Sequence, residues 1–384
     1  GTRSQVKIPQ NATVIDAHGK TLLPGLWDMH AHYEQVEWGP IYLAAGVTTA
    51  RDLGNEFDYI TQVRNALRDG HGIGPQLLLA GIVDGDGPMS IGITRVNTPA
   101  QARDWVDRYH DAGFQQIKIY SSMKLENIAA VATDAHRLGM TVTGHIPIGL
   151  NLFQGVEAGM DQVNHVQYIG DVVRKQLPEN SSRLQRVEAL ADVNLNSPEA
   201  LRTIEFLKKH RTVVDPTLAL MEMLFTVGPD RPAASFEPGV NKAPAELREQ
   251  LVNVGPPGAI LPLYRKVFAK YVEIVGALHR AGIPIIAGTD QTVPGHSLHR
   301  EIELYVQAGL TPLEAIQAAT IVPARVMKVD KEVGTIEPGK RADLILTRAN
   351  PLEDIRNIRT VESVIANGRL YDCAQLWRSV GFQP

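Results

Sequence analysis

The stretch Trp27-Asp28-Met29-His30-Ala31-His32 predicts a strand that ends in two histidines separated by one residue. Successive strand residues point to opposite faces of a sheet, so His30 and His32 project to the same side. Two neutral imidazoles side by side pack poorly, but they are good ligands for a divalent metal. We therefore expect this pair to face the mouth of a barrel and to bind metal, although such a pair also occurs by chance.

The chain on either side alternates between strand and helix patterns. Amphipathic helices begin at Thr98-Pro99, Ser197-Pro198 and Thr311-Pro312, where a hydroxyl cap precedes a proline at the first helical position. Alternation of this kind predicts parallel βαβ units. Eight candidate strands end near His32, Asp52, Val83, Ser121, His145, Val166, Pro216 and Asp290. Eight strands predict an α/β fold with a (β/α)₈ TIM barrel over 25–330, while the number alone also allows a doubly wound sheet.

The two ends of the chain have a different pattern. Residues 5–24 and 332–372 are strand-like and rich in turns, so we expect 1–24 and 331–384 to form one small β-sandwich domain. The chain begins at Gly1 without an initiator methionine, and we expect its N-terminal part to be truncated. Residues 227–262 are rich in proline and glycine, which predicts either a cover over the site or a surface excursion.

Composition excludes several classes of function. The chain has 384 residues and a formal net charge of −4, so it lacks the basic field of a nucleic-acid-binding protein. No apolar run reaches the roughly 18 residues that a membrane span requires. Its one cysteine, Cys373, excludes an internal disulfide and a cysteine-built metal site. The compartment and the oligomeric state stay open, a homo-oligomer included.

Three more candidate ligands stand at predicted strand ends. His145 and His165 end two successive strands, and each alone would be an ordinary core or surface histidine. Asp290 follows an apolar run in which an unpaired carboxylate would be costly to bury. Carboxyl ends of barrel strands are where such enzymes place their catalytic groups. We therefore group these three residues with His30 and His32.

Lys118 lies inside the apolar run Ile117-Lys118-Ile119, with its side chain predicted to face the barrel interior. A buried ammonium must lose its proton, pair with a carboxylate or be chemically converted. A neutral lysine amine can take up CO₂ to give a carbamate, an anion able to bridge two cations. The alternative is an ion pair with a carboxylate in the barrel.

Six ligands are too many for a single tetrahedral Zn²⁺. They predict two divalent metal ions that share a hydroxide, which metal binding makes available near neutral pH. Zinc suits a histidine-rich set, although Mn²⁺, Co²⁺ or Fe²⁺ would also fit.

These residues together resemble the amidohydrolase superfamily. The similarity runs from Leu23-Pro24-Gly25-Leu26 through His30 and His32, Lys118, His145, His165 and Gly288-Thr289-Asp290 to 334–344. Within the superfamily the chain is similar to the imidazolonepropionase-like and Xaa-Pro dipeptidase branch. The resemblance implies that His30, His32 and Asp290 hold the more buried metal. It also implies that His145 and His165 hold the second, with carbamylated Lys118 bridging the two.

The reaction expected from this site is attack of the bridging hydroxide on an amide carbonyl, with Asp290 as general base and then general acid. Tyr120, Tyr168 and His299 are candidate substrate-binding residues. The expected substrate is a dipeptide, an N-acyl amino acid or a related small molecule. Alternatives are a cyclic-amide hydrolase like imidazolonepropionase, a mononuclear deaminase, or a non-catalytic barrel that binds a partner.

Overall fold

The computed structural model describes residues 8–87, 89–178, 180–252 and 254–384. The strands, in chain order, are β1 Thr21–Pro24, β2 Leu26–Ala31, β3 Val47–Asp52, β4 Gln76–Val83, β5 Gln116–Ile119, β6 Thr141–Gly144, β7 Gln162–Asn164, β8 Val213–Asp215, β9 Leu344–Thr347, β10 Val361–Ala366 and β11 Arg369–Asp372.

The α-helices are α1 Trp38–Ala44, α2 Phe57–Arg68, α3 Pro99–Asp111, α4 Leu125–Arg137, α5 Leu152–Glu157, α6 Gln167–Val173, α7 Arg183–Ala191, α8 Pro198–His210, α9 Leu218–Thr226, α10 Gly239–Lys242, α11 Ala245–Val252, α12 Leu261–Arg280, α13 His296–Gln307, α14 Pro312–Ala318, α15 Ile321–Val326 and α16 Cys373–Ser379. Short 3₁₀ turns cover Ala233–Ser235 and Ile355–Arg359.

The centre of the molecule is a parallel sheet that curls. β2, β3, β4, β5 and β6 pair in sequence order, and β7 pairs with β8. Every residue of β2 and β3 is buried, because helices cover the outer face and side chains fill the inner one. The predicted α/β fold with a parallel sheet is confirmed.

Residues 284–290 stand where the eighth strand was predicted, but they form only an isolated bridge, between Ile285 and Val214. Pro284 has no N–H to donate to a ladder, which prevents regular pairing there. The segment still bonds on both sides: Ile286 N–H donates to the Val214 carbonyl, and Met29 N–H donates to the Ala287 carbonyl. Through these bonds the 284–290 segment connects β8 to β2 in the curled sheet.

The predicted helix starts are confirmed. The side chain of Thr98 accepts a hydrogen bond from Gln101 N–H, and that of Thr311 accepts one from Glu314 N–H, each within a capping box. Ser197 caps α8 by accepting from Ala200 N–H. These caps begin helices that run back along the outside of the sheet and so place each following strand parallel to the last.

Both ends of the chain contribute to a separate antiparallel sheet of order β1-β9-β10-β11. Within the described residues this is a single sheet, whereas a sandwich of two sheets was expected; helices α1 and α16 pack against β10. Residues 8–20 contain no strand, so the prediction of strand structure over 5–24 was too long there. Residues 1–7 lie outside the described part of the chain.

The segment 227–262 is packed rather than extended. Val227, Ala233, Phe236 and Val240 form a small apolar cluster with Val293, which follows the 284–290 segment. In the described ranges, no helix is both long enough and apolar enough to cross a membrane.

Candidate metal centre

Six side chains meet at the carboxyl ends of the parallel strands, and we call them the six-residue cluster. They are His30, His32, Lys118, His145, His165 and Asp290, provided by β2, β5, the residues after β2, β6 and β7, and the 284–290 segment. His165 and Asp290 adopt left-handed backbone conformations, with φ of 63° and 49°. Such conformations cost a non-glycine residue about 1 kcal/mol or more and are common where a side chain must be aimed at a site.

Nitrogen and oxygen atoms of the cluster lie close together. Ligand atoms of His30, His165 and Asp290 all fall within 4.8 Å of one another. His32 Nε2 lies 3.1 Å from Asp290 Oδ1, and His145 Nε2 lies 3.0 Å from His165 Nε2. The His30 and His165 rings are 5.0 Å apart. The arrangement is a converging set of imidazole and carboxylate donors, a combination that suits zinc and similar divalent ions.

Hydrogen bonds on the far side of each ring fix which nitrogen faces the cluster. His30 Nδ1 donates to Asp215 Oδ2 at 2.8 Å, and His32 Nδ1 donates to the Gly54 carbonyl at 3.1 Å. The Thr217 hydroxyl donates to the Pro216 carbonyl, so it accepts from His165 Nδ1. The Nε2 atoms of these three rings therefore face the centre of the cluster, towards Asp290 and Lys118. Metal-binding histidines are oriented in this way, so the donor set fits a divalent metal.

Asp215 and Arg51 support the cluster from inside the sheet. Asp215, the last residue of β8, also accepts from Asn164 Nδ2, and Arg51 NH2 lies 3.5 Å away. Burial raises the pKa of Asp215 to about 6, while the Arg51 charge opposes that rise. The sequence analysis missed Asp215, although it stands just before Pro216 at a predicted strand end and so met the rule that found Asp290.

Lys118 is buried, and its Nζ lies 3.2 Å from His30 Nε2. No carboxylate in the described ranges forms an ion pair with it. Burial lowers the pKa of Lys118 to about 8, against the opposing charges of Asp290 and Asp215. About a tenth of its amine is then neutral at pH 7, far more than for an exposed lysine.

The charges in the cluster are distributed unevenly. Burial lowers the pKa of His165 to about 3 and that of His145 well below its usual value, so both rings are neutral near pH 7. Burial alone would raise the pKa of Asp290, but His30 and the hydrogen bond from His32 hold it well below its usual range. Burial would lower the pKa of His32, but its hydrogen bond to Asp290 raises it. An ionised carboxylate beside the neutral rings of His145 and His165 has the protonation states that metal binding requires.

Two of the three predicted substrate residues lie beside the cluster. The Tyr120 ring centre is 4.4 Å from that of His145, and the Tyr168 ring centre is 5.9 Å from it. Burial raises the pKa of Tyr168 to about 12, so its hydroxyl remains a proton donor.

His299 is not brought to the cluster. It is buried, and its Nε2 bonds to the Ala45 carbonyl at 2.7 Å, just before β3 begins and so at the opposite ends of the strands. It lies on the inner face of α13, where the His296 ring stacks on Trp377.

Comparisons with known proteins agree with this geometry. A sequence model described as Amidohydrolase family matches residues 42–371. Imidazolonepropionase of Alkaliphilus oremlandii (strain OhILAs) is 24% identical over 393 residues, which cover 95% of this chain and 84% of that protein. The structure of a Xaa-Pro dipeptidase with bound methionine has a TM-score of 0.67 at 22% identity and covers 92% of this chain and 87% of that chain.

A shorter match is more similar in sequence. Adenine deaminase 4 of Rhizobium meliloti (strain 1021) is 35% identical over 83 residues. This chain covers only 13% of the length of that relative, and the match takes in 22% of this chain.

Proposed function

Because the chain belongs to the amidohydrolase family, we propose that this hydrolase of amide-type bonds uses a binuclear metal centre to act on small molecules. The observation that carries the proposal is the convergence of His30, His165 and Asp290 donor atoms within 4.8 Å. In the proposed assignment His30, His32 and Asp290 hold one divalent ion and His145 and His165 hold the other. Zinc is the metal that this donor set favours.

Lys118 is the proposed bridging residue, as a carbamate. Its neutral amine attacks CO₂, a nitrogen–carbon bond forms, and one proton leaves, so the product is an anion with two oxygen donors. Burial supports this proposal because it lowers the pKa of Lys118 to about 8 and so makes the amine available. A bridging anion serves two metals, which disfavours the mononuclear deaminase alternative.

Asp290 is the proposed proton carrier. Bound divalent ions supply Lewis-acid polarisation of a carbonyl and acidify water. The Asp290 carboxylate, 22% exposed, borders both the cluster and solvent, so it can take a proton from the attacking water and deliver it to the leaving amine. Tyr120 and Tyr168, whose pKa values burial raises, stay protonated and can donate to the carbonyl oxygen of a bound substrate.

The proposed substrates are dipeptides, N-acyl amino acids or related small amides. Two subclasses of amide are supported. The similarity in fold to a Xaa-Pro dipeptidase supports linear amides, and the similarity to imidazolonepropionase supports cyclic amides. A cyclic amide remains the second candidate because the imidazolonepropionase match covers 95% of this chain.

The decisive experiment measures metal content per chain by elemental analysis and screens linear and cyclic amides with zinc-reconstituted protein. Asp290→Asn is expected to abolish hydrolysis and leave the circular dichroism spectrum unchanged. About one metal equivalent with unmodified Lys118 would contradict the binuclear centre. Undiminished turnover by Asp290→Asn would contradict the role of Asp290.

The finer organisation of the fold also remains a proposal. We take the curled sheet to be a (β/α)₈ barrel over 25–330, with 1–24 and 331–384 forming a small β domain. The segment 227–262 is proposed as a cover for the site.

A further inference from the structure

A cavity lies at the amino ends of the strands, opposite the six-residue cluster. Its volume is about 500 Å³, within the range of small-molecule sites. Pro75 and Gln76 line it where β4 begins, and Gln115 lines it just before β5. The antiparallel sheet supplies another wall through Asn367 and Arg369, so the cavity lies between the two sheets.

The lining of this cavity is basic. Four arginines and one carboxylate line it; the arginines are Arg64, Arg68, Arg341 and Arg369. Arg341 pairs with the carboxylate, Asp343, and Arg68 pairs with its exposed neighbour Asp69. Among the residues that the structure describes, Arg64 and Arg369 have no carboxylate partner. Two guanidinium charges are therefore left without a counterion in one cavity.

Arg64 is held in place. Its NH1 donates to the carbonyls of Ala112 at 2.8 Å and Gly113 at 3.3 Å, on the loop before β5. Its Nε and NH2 donate to Asn65 Oδ1 at 3.2 and 3.1 Å, which leaves one NH2 hydrogen for a ligand. Arg369 lies over the Tyr371 ring, with its guanidinium carbon 5.5 Å from the ring centre. Arg64 is thus fixed before a ligand arrives, and a fixed guanidinium loses little entropy when it binds an anion.

Neutral donors line the same cavity. Thr48 borders the cavity, but its hydroxyl is enclosed against Gly25 and has no hydrogen-bond partner in the described part of the chain. The backbone N–H groups of Gly72 and Gly74 likewise find no acceptor among the described residues. The two glycine N–H groups can donate charge-assisted hydrogen bonds to an anionic oxygen.

We propose that this cavity binds a small molecule through a doubly charged, phosphate-type group held by Arg64 and Arg369. The two unpaired charges match a dianion, and the backbone N–H groups of Gly72 and Gly74 match its remaining oxygens. The site is separate from the proposed catalytic centre, at the other ends of the same strands, so its ligand is not the amide substrate.

The test is calorimetric titration of the metal-loaded protein with inorganic phosphate at constant ionic strength. Saturable binding is expected, and Arg64→Gln and Arg369→Gln are each expected to weaken it about tenfold, roughly the effect of one charge-assisted hydrogen bond. Added sodium chloride should weaken binding further because it screens the guanidinium charges. Arg103→Gln, an exposed arginine on α3 outside the cavity, is the matched control and should bind phosphate like the parent protein.

Three results would overturn the proposal. One is the absence of saturable binding, and another is binding that neither cavity variant changes, which would place phosphate at the six-residue cluster. The third is equal weakening by Arg103→Gln, which would indicate a general effect of surface charge. Arg369 is exposed, and in the described part of the chain its side chain forms no hydrogen bond or ion pair, so Arg369→Gln keeps the test valid even if Arg64→Gln fails to fold.

Discussion

Asp215 holds the ring of His30 from the side away from Lys118, and it does so without contacting the space where substrate would bind. Its carboxylate accepts from both His30 and Asn164, while Arg51 keeps a positive charge nearby. The residue therefore determines which His30 nitrogen carries the proton. No pattern in the sequence pairs Asp215 with His30, because the two residues are 185 positions apart and meet only when the sheet curls.

We expect Asp215→Asn to weaken metal binding about 10- to 100-fold, the usual effect of losing a partner that orients a metal-binding histidine. Chelator competition measures this affinity. Asp84→Asn is the matched control: Asp84 is equally buried but accepts from backbone N–H groups of Gly85, Ile91 and Ser122. That variant should lose stability and keep its metal affinity. Equal metal affinity in Asp215→Asn and the parent protein would contradict the orienting role.

The burial of His299 predicts how the free energy of unfolding depends on pH. Burial lowers its pKa to about 4 from 6.5, with the Arg359 charge adding to the shift and Glu303 opposing it. Above pH 6.5 the ring is neutral in both the folded and the unfolded chain, so it has no effect on stability. As pH falls from 6.5 to 4, His299 becomes protonated in the unfolded chain but stays neutral in the folded chain. The free energy of unfolding therefore drops by about 3 kcal/mol in total.

His299→Gln retains a donor for the Ala45 carbonyl and removes this titration. Urea unfolding at several pH values between 4 and 6.5 should therefore show a shallower loss of stability in the variant than in the parent protein. Parallel pH dependences of the two proteins would show that His299 is protonated in the folded state.

At the scale of helices and strands, short sequence patterns were enough to predict those elements whose formation depends on residues close to them in the chain. The cap residues Thr98, Ser197 and Thr311 fix where helices begin, and buried apolar runs fix β2 to β8. The prediction was wrong over 284–290, where Pro284 interrupts pairing, and over 8–20. His299 was assigned to the site because it follows Asp290 in sequence, but the direction of its side chain depends on which face of α13 is buried.

The cap of α3 offers a test at this scale. Thr98→Ala removes the acceptor for Gln101 N–H, so we expect the free energy of unfolding to fall by about 1 kcal/mol. Thr98→Ser keeps a hydroxyl acceptor and serves as the matched control, expected within a few tenths of a kcal/mol of the parent. Equal loss in the two variants would mean that packing of the Thr98 methyl group, rather than the hydrogen bond, stabilises the start of α3.

At the scale of the whole molecule, the six-residue cluster joins elements that are distant in sequence. Metal held by His30, His145, His165 and Asp290 would tie together both ends of the curled sheet. Because metal binds the folded chain in preference to the unfolded one, removing it with a chelator should lower the melting temperature, and adding zinc back should restore it.

Thermal unfolding with and without chelator measures that effect. A variant with both His145→Ala and His165→Ala is expected to show a smaller difference, because one proposed metal is lost. An unchanged melting temperature after verified metal removal would mean that the parallel sheet is stable without its ions.

The pairing of β1 with β9 has a consequence for how the protein is made. Thr21 and Thr347 are neighbours in the antiparallel sheet although 326 positions separate them. During translation, β1 leaves the ribosome long before β9, so its pairing edge stays open until β9 has been synthesised. A ribosome stalled before residue 344 would therefore hold a nascent chain whose parallel strands can assemble while β1 still lacks β9. Such a chain presents a free strand edge to chaperones or to its neighbours on the same messenger RNA.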